Sequence, residues 1–160
     1  MQGLERDTEV LRQIPLFAGL PSARLKLIAY AAEVVHFEPG EAIVRQGEFS
    51  DAIHLLVEGA AEGWLTTADG HNVRLSTMGR HSLFGETAVL CHGRCGATVR
   101  ATSHVVALRI PANVFLGLVR ESPDIAMGVM TLLAQRLEKN TALLRRHDDE
   151  HDASERKEMA

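Results

Sequence analysis

A chain of 160 residues, 46% hydrophobic and 24% charged, is long enough for one globular domain with a real core and too short for two comfortable ones. Its formal net charge of −4 speaks against a stand-alone nucleic-acid binder, and 4% aromatic residues leave too few rings for a base-stacking platform. Two cysteines make no disulfide framework, Met1 to Val10 is too polar for a signal peptide, and no apolar run nears about 18 residues, so a cytoplasmic protein without a membrane span is expected.

Thr8 to Ile14 reads as the end of a short helix that Pro15 helps to stop. Ile14, Leu16 and Phe17 form an apolar cluster before a break at Gly19-Leu20-Pro21. Ser22 is placed as the N-cap of a second helix with Leu25, Leu27, Ile28 and Ala31 on its apolar face. From Val34 to Ile110 the punctuation changes. Short apolar runs (Ala42-Ile43-Val44, Ala52 to Val57, Val73-Arg74-Leu75, Val105 to Leu108) alternate with glycine-containing turns, the pattern of an antiparallel sandwich or barrel. Asp69-Gly70 is the best hairpin turn. After Ile110 the period is helical. Pro111 fits a first helical turn, and Val114, Phe115, Leu118 and Val119 share one face. Ser122 and Pro123 then cap and open a longer helix that runs to about Arg146. The segment 147–160 is charged with few large apolar residues and is expected to be a disordered tail, leaving 1–146 as a single domain.

The most informative stretch is Leu83-Phe84-Gly85-Glu86-Thr87-Ala88-Val89-Leu90, then a loop from Cys91 to Gly96, then Ala97-Thr98-Val99-Arg100-Ala101. It resembles the phosphate-binding cassette of cyclic-nucleotide-binding domains, the family of the bacterial catabolite activators and the regulatory subunits of protein kinase A. Ile14-Pro15-Leu16-Phe17, Phe37 to Glu41, Arg45 to Glu48 and His54 to Gly59 extend the resemblance over roughly Val10 to Arg146. The fold it implies is mainly β with flanking helices: an antiparallel β-roll or jelly roll, N-terminal helices and a long C-terminal helix.

The resemblance also implies a site. Phe84 and Gly85 lead into a short turn of helix whose Thr87 and Ala88 amides would face a cyclic phosphate, while Glu86 would accept from the ribose 2′-hydroxyl. Ligand would lie between this turn and the loop of Arg94, Cys95, Gly96 and Ala97. The family's phosphate arginine is replaced: its slot holds Cys95, with Arg94 one position earlier. Either Arg94 rotates in between Gly93 and Gly96, or the site lacks its cation. On the long helix, aligned on Pro123-Asp124-Ile125, Arg136 would sit near Glu86. Asn140 and Thr141 would fall where the catabolite activators read the purine edge, or they are simply polar residues near a helix end.

Ala126, Met130, Leu133, Leu137, Asn140 and Leu144 recur at alternating spacings of four and three, a seam that suits either a homodimer or packing on the chain's own β-roll. Cys91, His92 and Cys95 are too few for a metal site, the histidines are scattered without a His-x-His pair, and no nucleophile elbow or P-loop is present, so neither a metal nor an enzyme is expected. Only the charged tail follows Arg146, so no direct DNA binding is expected. Two functions follow. The first is a sensor that binds cyclic AMP or cyclic GMP, with no other cofactor, and signals to an effector protein by moving its C-terminal helix. The second is a degenerate fold that serves as an interaction or dimerisation module because Cys95 occupies the arginine slot.

Overall fold

The computed structural model describes residues 2–159; Met1 and Ala160, the outer ends of the expected spans 1–146 and 147–160, lie outside them. Two helices, α1 (Gln2–Arg12) and α2 (Ser22–Ala31), precede the strands β1 (Glu33–Phe37), β2 (Ala42–Val44), β3 (Ala52–Glu58), β4 (Ala61–Thr66), β5 (Asn72–Met78) and β6 (Leu83–Phe84). A short helix α3 (Glu86–Leu90) interrupts the sheet, followed by β7 (Thr98–Ala101), β8 (Val105–Pro111), α4 (Ala112–Glu121) and α5 (Pro123–Met159). The strands form two antiparallel four-stranded sheets, ordered β1-β8-β3-β6 and β2-β7-β4-β5. This is the expected roll with flanking helices.

β3 explains the layering. Its sequence Ala-Ile-His-Leu-Leu-Val is buried throughout because both of its faces are covered. Ile53, Leu55 and Val57 point outward into a core shared with Leu11, Phe17, Leu25, Ile28, Phe115, Ile125 and Val129 of the helical layer. Leu56 points inward and meets Phe84, Val99, Ala101 and Ala107 between the sheets. Strand alternation thus assigns His54, two residues before Leu56, to the interior of the roll.

Several local expectations change. Ser22 is the first residue of α2 rather than its cap: Pro21 holds the cap position with extended backbone angles, and the Ser22 hydroxyl accepts from Arg12 Nη2 at 3.1 Å. Pro111 ends β8 and flanks α4, because its neighbour Ala52 pairs it into the sheet. Ser122 does cap α5, its Oγ accepting from the Ile125 amide at 3.3 Å.

The largest correction concerns the tail. α5 continues through 147–159 instead of dissolving near Arg146. Beyond Gly128 the helix meets neither glycine nor proline, and it is rich in strong helix formers. His151 and Glu155 pair at 3.2 Å one turn apart, and the His151 ring lies 5.4 Å from that of His71, which ties the extension to the β4–β5 hairpin. Near its start, α5 lies so close to the N-terminal loop that a Cβ on Gly128 would come within 2.7 Å of Leu16 Cδ1.

Candidate functional site

Gly85 sets the site. It adopts φ +92° between β6 and α3, and a Cβ there would press to 3.1 Å from the Ala52 carbonyl oxygen. The left-handed turn swings the chain off the sheet and presents the first amides of α3, which have no partner within the helix. Glu86, the first helical residue, is 1% exposed. Its Oε1 accepts from Arg136 Nη1, and Arg136 Nη2 donates to the Leu83 carbonyl, so one guanidinium pins α5 to both sides of the Gly85 turn. Glu86 Oε2 is buried and has no hydrogen-bond partner.

These groups wall a cavity of about 500 Å³. Phe84, Gly85, Glu86, Thr87 and Ala88 form one side, Cys95, Gly96, Ala97 and Val99 the other, and Leu133, Arg136, Leu137 and Asn140 of α5 a third. Leu75, Ser76 and Met78 close the floor, together with Val44 and Gly63. Leu133 and Leu137 belong to the seam read from the sequence; both line the cavity, while Leu137 and Met130 of the same seam remain largely exposed. Ser76 and Met78, at the end of β5, lie outside the motif from which the site was read.

Two sequence-derived site residues are placed elsewhere. Thr141 does not line the cavity. Arg94 is exposed, and its Nη1 donates to the Gly47 carbonyl at 2.9 Å, away from the Glu86 wall. The reason is pairing. Arg94 bridges Phe49, Cys95 donates to the Glu48 carbonyl at 2.8 Å, and Gly47 donates to the Cys95 carbonyl at 2.8 Å. In such an antiparallel contact neighbours point to opposite faces, so with Cys95 inward Arg94 must point outward; turning it in requires a one-residue slip. The Cys95 thiol is pushed up by burial, seconded by the Glu48 carboxylate and opposed by a hydrogen bond with Ser50, so it stays protonated.

Cys95 and Val44 also separate this cavity from a smaller one of about 260 Å³. Arg45, Glu48, Ser50, Asp51, His54 and Arg109 line it, with Phe37 and Ile43. Arg109 pairs with Asp51 at 2.5 Å. His54 stacks on Phe84 with ring centroids 5.4 Å apart, and its Nδ1 is buried without a partner. Burial, then the Arg109 guanidinium, pull His54 down to about 4, with Asp51 opposing, so the ring is neutral.

No group of three or more His, Cys, Asp or Glu side chains suited to a metal ion occurs among the described residues, and no helix there is long and apolar enough to cross a membrane.

Comparison with known proteins agrees with this geometry. A family model described as a cyclic nucleotide-binding domain matches residues 34–122. The potassium channel GORK of Arabidopsis thaliana is 29% identical over 105 residues, which is 66% of this chain and 13% of the channel. The catabolite activator protein of Thermus thermophilus superposes with a TM-score of 0.68 at 28% identity, over 88% of this chain and 63% of that one. A regulatory subunit of a cAMP-independent protein kinase A from Trypanosoma cruzi, bound to guanosine, superposes with a TM-score of 0.68 at 25% identity, over 84% of this chain and 50% of that one. This chain thus spans between about an eighth and two thirds of these relatives.

Proposed function

This chain belongs to the cyclic nucleotide-binding domain family, and on that premise we propose that it is a regulatory sensor whose cavity holds a ribose-bearing ligand and whose helix α5 carries the signal. The observation that carries the reading is the Glu86–Arg136 pair. Glu86 keeps one oxygen on Arg136 and leaves the other buried without a donor. A buried acceptor without a partner costs about 1–3 kcal/mol, and a ribose hydroxyl supplies the missing donor. Because the same carboxylate holds α5, filling the cavity and positioning the helix are one event. Ligand selects the arrangement in which α5 lies over it, a population shift that an effector protein reads. The guanosine-bound neighbour supports the ribose end of this reading.

Titration calorimetry with adenosine, guanosine, cyclic AMP and cyclic GMP tests it. At least one is expected to bind, and Glu86→Ala is expected to weaken that binding at least tenfold, the value of one charge-assisted hydrogen bond. Silence from all four at millimolar concentration removes the sensor reading and leaves the interaction-module reading.

A further inference from the structure

We infer that the cavity walled by Glu86 and Arg136 takes an uncharged nucleoside, a ribose and base without phosphate, in preference to a cyclic monophosphate. The inference rests on the sensor reading above and specifies its ligand.

Charge decides it. Among the described residues lining the cavity, Glu86 is the one carboxylate and Arg136 the one cation, and they are paired with each other. The wall is therefore neutral. Arg136 is committed twice, to Glu86 and to the Leu83 carbonyl. Turning it toward a phosphate strands a carboxylate that is 1% exposed, which the interior does not tolerate. None of the other nearby cations lines the cavity: Arg94 donates to the Gly47 carbonyl, Arg109 pairs with Asp51, and Arg45 lines the smaller cavity. The slot that faces the guest holds a protonated thiol.

A cyclic phosphate monoanion entering this space loses hydration and meets no countercharge. An uncharged nucleoside pays no such cost and keeps every other contact. Its hydroxyl satisfies Glu86 Oε2. Its base lies against Val99, Leu133 and Leu137, with the Asn140 carboxamide beside its edge. The α3 amides donate to a hydroxyl oxygen as they would to a phosphate.

The test is titration calorimetry on the full chain, comparing each nucleoside with its own 3′,5′-cyclic monophosphate. A nucleoside is expected to bind ten- to a hundredfold more tightly than its cyclic partner. Tighter binding of the cyclic partner overturns this inference and leaves the sensor reading standing; silence from both classes overturns both. Adding a cation should reverse the order. Cys95→Arg fills the slot directly. Gly96→Arg is the variant that spares the core, since Gly96 lines the cavity and a Cβ there meets nothing within 4 Å. Either variant, shown by its melting curve to be folded, is expected to gain at least tenfold for the cyclic monophosphate relative to the nucleoside. An unchanged ratio in both variants overturns the charge argument.

Discussion

The two cavities on either side of Cys95 handle charge in opposite ways. The larger one holds a single ion pair and is otherwise lined by apolar and small polar groups. The smaller one gathers two arginines, two carboxylates and a histidine kept neutral by its surroundings. A single alternation of the backbone divides them: Cys95 faces inward between the two spaces and Arg94 faces out. The lesson is that possession of an arginine in the right loop is not possession of a cation in the right cavity. Register, fixed by the partner segment 47–49, decides which space receives the charge.

That contrast can be broken most forcefully at the ion pair. Arg136→Leu leaves Glu86 buried and uncompensated, and should cost about 3 kcal/mol in chemical denaturation, the low end for a broken buried pair because Arg136 is partly open to solvent. Adding Glu86→Gln to that variant should recover most of the loss. A smaller effect belongs to the other cavity. His54 is held neutral down to about pH 4, whereas in the unfolded chain it takes a proton near its ordinary 6.5. Its folded-state value is depressed, so the unfolded state binds the proton first. Stability is then full above pH 6.5 and declines as pH falls toward 4, by about 2 kcal/mol at pH 5 relative to pH 7. Urea titrations of the parent chain and His54→Leu at the two pH values check this, the variant losing less than the parent. Arg94→Ala sharpens the comparison by doing little. Bound to the Gly47 carbonyl on the surface, it should cost under about 1 kcal/mol and leave nucleoside affinity unchanged. Smallest is truncation after Arg146. It should lower helical circular dichroism in proportion to the residues removed, yet change stability by under about 0.5 kcal/mol, since the extension is exposed and held by surface contacts.

How much of this was legible in the sequence follows from the range over which each feature is decided. β3 was readable because Ala52 to Val57, apolar but for His54, has strand length between two turns, and the Asp69-Gly70 turn because it is local chemistry. The Gly85-Glu86 turn was readable as a motif. The direction of Arg94 was not, because its facing depends on hydrogen bonds to residues 47–49, far away in the chain. Nor does any periodicity join Glu86 to Arg136 across 50 positions; only the family resemblance placed them together. The charged end of α5 misled for a different reason. Its composition suits a solvated coil and a solvated helix equally well, and the contact between His151 and His71 lies outside any local pattern.

Gly128 gives α5 a bearing surface. With no side chain between them, the helix backbone rests on Leu16 as a shaft rests on its mount. Gly128→Ala would press a methyl on Leu16 Cδ1, a contact that turning the Leu16 side chain relieves, about 12 Å of helix before Arg136. The N-terminal arm thus bears on the helix that walls the chamber, though none of its residues lines it.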